Sequence, residues 1–382
     1  MKICSFELDD KQIGIVTIET PDVKENRLSL EHLIEIEELL SDLENETNKI
    51  EGKEETKAIV LISGKHDNFI SGLDLKELLK FKTADDGRSY SLRIQEVIER
   101  IEKSRIPFLA AINGVCFGIG LEICLACKYR IATGEPITLF GFPDVNLGLI
   151  CGGGGTQRLP LQAGTGNAID LMATGKIINS KGAKEIGLID EVVPMEALLD
   201  IGKKRALEII KGKIRLRRSR AGNRLRTVYY SNSFVRNFLL KKKRKKALVK
   251  TNNKSLAPIM SIEAMEVGLN SSFNRGLHVE SVYFGELVSG EVSHNLIHLS
   301  LASYDIKRDP VVRENGIKRR KIRKVGIVGA GEIGSALAAM SADNGFTVRL
   351  TDKDGSKIGK VLKDCYQYYK NKYDKGESAE FE

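Results

Sequence analysis

The stretch that decides the fold is IPFLAAINGVCFGIGLEICLACKYRIAT, residues 106–133. It begins with an apolar run typical of a buried strand, passes through three glycines, continues as an apolar helix and ends in a second strand. A strand, a glycine turn and a helix therefore follow one another. The apolar run AIVLIS (58–63) is another such strand, and the glycine loop at 152–155 comes between the strand at 129–133 and a further predicted helix. This repetition predicts an α/β domain.

Weaker patterns extend this domain on both sides. Residues 12–19 (QIGIVTIE) alternate like a strand, and 29–43 carry apolar residues at helical spacing. Segments 201–248 and 259–304 lack a strand pattern, so we expect helices there.

Composition excludes several protein classes. The chain has 382 residues, 42% hydrophobic and 29% charged, with a net charge of +9. These values argue against a disordered, collagen-like or membrane-embedded protein, and the length predicts two or three domains. The most apolar stretch, 106–127, is interrupted by Pro107 and Glu122 and makes a poor membrane span. No signal peptide is recognisable, and six cysteines are too few for a disulfide scaffold, so we expect a cytoplasmic protein.

Positive charge is concentrated in residues 203–250, which hold 19 basic residues and a single acid, Glu208. Nucleic-acid binding would need interleaved aromatic residues or a groove-entering motif, and neither RLRRSR nor KKKRKK provides one. We therefore expect no nucleic-acid partner. A solvated, partly helical connecting face and attraction of a polyanionic small molecule or partner surface both remain open.

Metal ligation is not indicated by the sequence. Cys124 and Cys127 form a C-x-x-C without a second pair, and His294 and His298 share a helical face without an intervening glutamate. Buried structural thiols and helix packing are the better interpretations, so no metal site is predicted.

Two acidic residues lie near glycine-rich turns in apolar surroundings, Glu122 in GIGLEICLAC and Asp144 in FGFPDVNLGL. An apolar pocket raises the pKa of a carboxyl group towards values useful for proton transfer. Two such groups facing one substrate could divide the roles of acid and base. An acid at a helix start is also commonly a cap, so the pattern alone leaves both interpretations open.

Four ordered segments resemble the crotonase (enoyl-CoA hydratase/isomerase) family. They are NFISGLDLKEL (68–78), residues 106–133, FGFPDVNLGLICGGGGTQRLP (140–160) and TGKIINSKGAKEIGLIDEVVP (174–194). The resemblance implies a spiral of β-β-α repeats and an enzyme that adds water to 2-enoyl-CoA thioesters in fatty acid β-oxidation, without a cofactor. By family position, Glu122 and Asp144 would be the acid/base pair, the backbone N–H groups of Leu73 and Ile119 would form the oxyanion hole, and Lys76 would lie near the CoA phosphates.

The sequence departs from the family pattern at three places. Asp144 stands where hydratases usually have Glu, and Ile119 occupies the middle of what is usually a three-glycine turn. Cys151 and Gly152 replace the usual Pro-Gly. Hydration needs both carboxylates, whereas shifting a double bond from C3 to C2 can be run with one. A 3,2-enoyl-CoA isomerase and a non-catalytic acyl-CoA-binding or scaffolding subunit therefore remain alternatives.

A dinucleotide fingerprint follows near the end of the sequence. Residues 325–328 predict a strand, GAGEIG supplies Gly329, Gly331 and Gly334, and Asp352 ends the next strand. Glycines permit close approach of a pyrophosphate, and an Asp at this position binds the ribose hydroxyls of NAD rather than NADP. About one βαβ unit plus a helix follows, so we expect an incomplete NAD-binding unit, a C-terminally shortened chain and no 3-hydroxyacyl-CoA dehydrogenase activity.

Together these observations predict three regions: a crotonase core at 1–200, a helical, strongly basic connecting region at 201–318 and an incomplete Rossmann unit at 319–382. The order of motifs resembles the multifunctional β-oxidation enzymes. That resemblance implies an oligomer and a thiolase partner subunit.

Overall fold

Between residues 58 and 141, successive strands alternate between two sheets. The computed structural model describes residues 3–46, 56–214, 255–308 and 321–374, and its contacts divide the chain into two units, Met1–Lys307 and Arg308–Glu382. The strands are Cys4–Leu8 (β1), Ile13–Ile18 (β2), Ala58–Ser63 (β3), Asn68–Ile70 (β4), Phe108–Ile112 (β5), Val115–Phe117 (β6), Tyr129–Thr133 (β7), Leu139–Gly141 (β8), Ile177–Asn179 (β9) and Glu191–Val193 (β10). The large sheet has the order β1-β2-β3-β5-β7-β10 and the small sheet the order β4-β6-β8-β9. Only the pairs β1/β2 and β8/β9 are antiparallel among the described strands of these sheets.

Helices follow the paired strands. The described α-helices of this unit are Leu30–Glu46 (α1), Leu75–Leu78 (α2), Ala84–Lys103 (α3), Ile119–Ala126 (α4), Gly155–Ala163 (α5), Thr165–Thr174 (α6), Ser180–Glu185 (α7), Leu198–Ile210 (α8), Ala257–Asn270 (α9), Phe273–Val288 (α10) and Glu291–Arg308 (α11). Short 3₁₀ helices span Pro143–Leu147 and Met195–Ala197. Three times a strand of the large sheet leads to a strand of the small sheet and then to helix, which confirms the expected spiral of β-β-α repeats.

The large sheet is covered on both faces, as the continuous apolar run of β3 predicts. Ile59 and Leu61 belong to the main core, whereas Ala58 and Val60 pack into a second cluster with Leu198 of α8. Alternate side chains of a strand point to opposite faces, so a strand buried on both faces must be apolar throughout.

Helix α10 packs closely against α3 in the same unit. At their crossing a Cβ added to Gly87 would lie 2.9 Å from the Cα of Gly285, so the two backbones meet where both residues lack a side chain. The described start of the basic segment is paired with acids: Lys203 contacts Asp9 and Arg205 contacts Glu191 and Glu208. The remainder of this segment, 215–250, lies outside the described residues.

Within residues 321–374, the described part of the second unit, the chain forms one βαβ element followed by a helix. Strands Lys324–Val328 (β11) and Thr347–Thr351 (β12) pair in parallel, and helix Glu332–Asp343 (α12) connects them. Helix Gly355–Asp374 (α13) follows. This agrees with the expected incomplete Rossmann unit. The proposed boundaries at 200 and 318 stay predictions, and residue 318 is outside the described residues.

Candidate active site

Glu122 lies in the first turn of α4, and every residue of this helix is buried. The chain turns from β6 into this helix at Gly118, whose φ of +49° lies in the left-handed region that favours glycine. The carbonyl of Gly118 then accepts the N–H of Glu122 at 3.0 Å. This turn places the carboxyl group of Glu122 at the end of β6, within the core.

A glycine loop holds the Glu122 carboxyl group. The N–H groups of Gly153 and Gly155 donate to its Oε1 at 2.8 and 2.7 Å. A Cβ at Gly155 would lie 2.8 Å from the same oxygen. The loop therefore needs glycine to bring its backbone donors this close, and its bonds fix the orientation of Glu122.

Asp144 approaches the same turn from the 3₁₀ helix that follows β8. A Cβ at Gly118 would lie 2.8 Å from Asp144 Oδ1 and 2.9 Å from Oδ2. Within the described residues, Oδ2 is buried without a hydrogen-bond partner. Because a buried unpaired carboxylate oxygen is costly, this atom is suited to receive a hydrogen bond from a ligand or a water molecule.

The two carboxyl groups have different proton affinities. Burial raises the pKa of Glu122 to about 8, and the charges of Glu280 and Asp144 add to the effect, while the N–H groups of Gly155 and Gly153 oppose it. Burial raises the pKa of Asp144 to about 6, with Arg27 opposing. At neutral pH, Glu122 therefore mainly keeps its proton and Asp144 mainly loses it.

Leu73 has its N–H turned away from its neighbouring chain. Leu28 donates to the carbonyl of Gly72 at 3.0 Å and accepts from the N–H of Asp74 at 2.8 Å, which makes a parallel bridge between Leu28 and Leu73. In such a bridge the N–H of Leu73 itself points to the opposite side. Gly72 has a φ of +132°, so the sharp bend before Leu73 requires glycine.

Asn26 and Asn68 hold this bend, a role that sequence reasoning missed because it depends on tertiary contacts. Asn26 is fully buried and donates to the Ile18 carbonyl, Ser63 Oγ and the Phe69 carbonyl. Its own N–H donates to Asn68 Oδ1 at 2.8 Å. A buried hub of this kind fixes the path of the chain that carries Leu73.

Ile119 is the first residue of α4, so its N–H has no acceptor within the helix. Its side chain is buried, and the helical conformation is one that isoleucine adopts without strain. Strands β4 and β6 run parallel, and a Cβ at Gly120 would lie 2.6 Å from Ile70 Cβ. Because these strands are parallel, the segments that carry Leu73 and Ile119 leave the small sheet at the same end.

Glu280 is a third buried carboxylate at this site, contributed by α10. Its Oε1 accepts from Gly154 N–H at 2.5 Å and its Oε2 from Thr156 N–H at 3.0 Å, in the same loop that holds Glu122. Sequence reasoning missed it. The available signal was a lone acid on the helical face shared by Leu277 and Phe284, both buried.

Lys76 is exposed on α2, beside the bend that carries Leu73. The cysteines of the C-x-x-C are buried, and burial raises the pKa of both thiols. Among the described residues no group of His, Cys, Asp and Glu could hold a metal ion. No helix in the described ranges is long and apolar enough to cross a membrane.

The second unit has the geometry of a pyrophosphate turn. Gly329 has a φ of +106°, and a Cβ at Gly334 would lie 1.8 Å from the Gly329 carbonyl oxygen. Around the Cβ position of Gly331 there is open space. Asp352 accepts the N–H of Ala330 at 2.6 Å, and hydrogen bonds from the N–H groups of Asp354 and Ala330 lower its pKa. These residues fit NAD, which supplies a hydride acceptor when bound.

Comparison with known families agrees with both units. Residues 9–228 match the enoyl-CoA hydratase/isomerase family. The chain belongs to this crotonase family. Residues 324–382 of the crotonase-family chain match the NAD-binding domain of 3-hydroxyacyl-CoA dehydrogenase.

Individual relatives share both regions. The fatty acid oxidation complex subunit alpha of Shewanella baltica is 34% identical over 359 residues, which cover 94% of this chain and 49% of that protein. The subunit from Shewanella frigidimarina is 33% identical with the same coverage. The chain thus spans about half the length of the curated relatives it matches.

Solved structures share the fold. A putative enoyl-CoA hydratase from Streptomyces avermitilis has a TM-score of 0.55 at 18% identity, covering 83% of this chain and 96% of that one. Human mitochondrial delta3-delta2-enoyl-CoA isomerase has a TM-score of 0.54 at 19% identity, covering 80% of this chain and 100% of that one. At these identities the likeness shows the crotonase fold alone.

Proposed function

We propose that the chain hydrates 2-enoyl-CoA thioesters, with Glu122 as the proton donor and Asp144 as the base. The observation that carries this proposal is the pair of buried carboxyl groups on either side of the Gly118 turn, one with a pKa of about 8 and the other of about 6. An acid and a base are then present together near pH 7, as hydration requires.

In the proposed reaction the thioester oxygen accepts hydrogen bonds from the N–H groups of Leu73 and Ile119. Asp144 takes a proton from water as the water oxygen bonds to C3, and Glu122 gives its proton to C2. The C2=C3 double bond becomes a single bond, and the 2-enoyl-CoA becomes a 3-hydroxyacyl-CoA. Fixed N–H donors stabilise the enolate that develops on the oxygen, typically by about 3 kcal/mol per donor. No cofactor takes part in these steps.

Fatty acid oxidation is the process we propose for this activity, because the curated relatives that match both units are alpha subunits of a fatty acid oxidation complex. Lys76 is proposed to meet the CoA phosphates, since its exposed ammonium group lies beside the Leu73 bend. Gly329, Gly331, Gly334 and Asp352 are proposed to hold NAD. Absence of dehydrogenase activity, a thiolase partner, an oligomer and a cytoplasmic location stay predictions.

Isomerisation of 3-enoyl-CoA is the second candidate. Asp144 has a side chain one methylene shorter than Glu, and the loop donors hold Glu122 alone of the two proposed catalytic carboxyl groups. A site that relied on Glu122 alone could move a proton from C2 to C4 without adding water.

Product identification separates these activities. The purified chain is incubated with a short and a medium 2-enoyl-CoA, and separately with a 3-enoyl-CoA, and the thioesters are resolved by mass. Conversion of 2-enoyl-CoA to the hydrated product supports the proposal. Conversion of 3-enoyl-CoA without hydration would identify an isomerase, and binding of both without turnover would identify a scaffold.

A further inference from the structure

Four consecutive N–H groups alternate between two buried carboxylates. Gly153 and Gly155 donate to Glu122, whereas Gly154 and Thr156 donate to Glu280. The loop before α5 is therefore clamped between a carboxylate of α4 and a carboxylate of α10. Any displacement of Glu280 moves the donors that orient Glu122.

Helix α3 fixes the position of Glu280. The amide of Gln95 donates to Glu280 Oε1 at 3.2 Å and to the Leu277 carbonyl at 3.0 Å. The same two helices pack closely where Gly87 meets Gly285. This contact lies about two turns from Gln95 along α3 and about one turn from Glu280 along α10. Glu280 lies between the two stretches that match known families, 9–228 and 324–382.

The hydrogen bonds favour charge on Glu280 rather than on Glu122. Glu280 accepts from Gly154 N–H, Thr156 N–H, Thr156 Oγ1 and Gln95 Nε2, while Glu122 accepts from the two glycine N–H groups. Burial raises the pKa of both, and two buried carboxyl groups that interact resist being ionised together. Glu280, which accepts more hydrogen bonds, takes the charge, and Glu122 keeps the proton.

Other ionisable groups face this pair. Asp144 adds negative charge from the 3₁₀ helix, and burial keeps the Cys151 thiol protonated. On α5, Arg158 donates to the Gly153 carbonyl at 2.9 Å, and its guanidinium pairs with Glu102 of α3. Because Arg158 is already matched by Glu102, it does not neutralise Glu280.

We propose that Glu280 is the positioning residue of this active site: its carboxylate fixes the glycine loop and keeps the catalytic proton on Glu122. This assignment rests on the proposed role of Glu122 as proton donor. Glu280 does not touch the reacting atoms, and its effect reaches the substrate through Glu122.

Titration of Glu122 tests the assignment without any turnover. Glutamate carboxyl carbons are labelled with ¹³C, and the Glu122 signal is identified by its loss in Glu122→Gln. In Glu280→Gln, which keeps the shape and removes the charge, we expect the titration midpoint of Glu122 to fall by about one pH unit or more. An unchanged midpoint in folded Glu280→Gln would overturn the proposal. Ser281→Ala is the matched control, because its buried hydroxyl donates to His278 within the same helix.

A second pair of variants covers the case in which Glu280→Gln does not fold. Thr156→Val removes the hydroxyl donor of Glu280, whereas Thr156→Ser retains it. We expect the titration midpoint of Glu122 to be lower in Thr156→Val than in the unsubstituted chain and to be unchanged in Thr156→Ser. Equal Glu122 midpoints in the two variants would contradict the assignment. In an active enzyme the alkaline limb of the rate profile shifts with the midpoint. A shifted midpoint in a chain that hydrates nothing would support the assignment of Glu280 and contradict the proposed function.

Discussion

The backbone of Gly118 lies against the carboxylate of Asp144, so close that a Cβ at Gly118 would lie 2.8 Å from Asp144 Oδ1. The same glycine begins the turn into α4 that presents Ile119 and Glu122. One residue without a side chain therefore lets an acid, a base and a backbone donor meet.

Substitution Gly118→Ala should abolish most of the activity. Its φ of +49° is strained for alanine by about 1–3 kcal/mol, and the methyl group would displace Asp144. We expect hydration to fall at least about 100-fold. Gly134→Ala is the control, since its Cβ would meet only Val192 at 3.5 Å. Equal rates in the two variants would refute the close approach.

The rate of hydration should depend on pH as a bell. Activity rises as Asp144 loses its proton near pH 6 and falls as Glu122 loses its proton near pH 8. Measuring kcat/KM across this range at constant ionic strength gives both limbs. A rate that keeps rising above pH 8 would show that Glu122 acts as a base.

Stability should fall with increasing pH through the titration of Glu122. Its pKa is raised from 4.5 to about 8, so the folded chain binds this proton more tightly than the unfolded chain. The stabilisation is complete below the unfolded pKa and is lost as pH rises through 8. From about pH 6 to about pH 9, the free energy of unfolding of Glu122→Gln should therefore rise by about 2–3 kcal/mol relative to that of the unsubstituted chain. Urea unfolding of both chains at both pH values measures these free energies. If the variant and the unsubstituted chain differ by the same amount at both pH values, the prediction is wrong.

Removing the Asn26 side chain should damage the oxyanion donor at Leu73. Asn26→Ala leaves the Phe69 carbonyl and the Thr20 N–H without their partner, at a cost of about 2–4 kcal/mol. We expect a lower kcat with retained binding of a saturated acyl-CoA. Asn167→Ala loses only a bond to Ala163 one turn away and serves as the control. A normal kcat in folded Asn26→Ala would argue against the proposed role of the Leu73 N–H as an oxyanion donor.

Much of the fold follows from local patterns, and the exceptions have physical causes. The apolar run of β3 and the helix after Gly118 are visible because all their side chains are buried except that of Ile62, which is half-buried. Strands β4, β6 and β8 have three residues each, too few for an alternation to appear. Glu122 and Asp144 could be singled out as candidates because they adjoin glycine turns in apolar surroundings, and their catalytic roles stay predictions. Glu280 contacts a loop 124–126 residues earlier, a pairing that only tertiary packing creates.

The most direct test of the central claim compares Glu122→Gln and Asp144→Asn with the unsubstituted chain, following the loss of enoyl-thioester absorbance near pH 7. Binding of a saturated acyl-CoA is measured alongside. We predict that each variant binds the acyl-CoA normally and hydrates 2-enoyl-CoA roughly 10²–10⁴-fold more slowly. Hydration at the full rate in either variant, or none in the unsubstituted chain, would contradict a two-carboxylate hydratase.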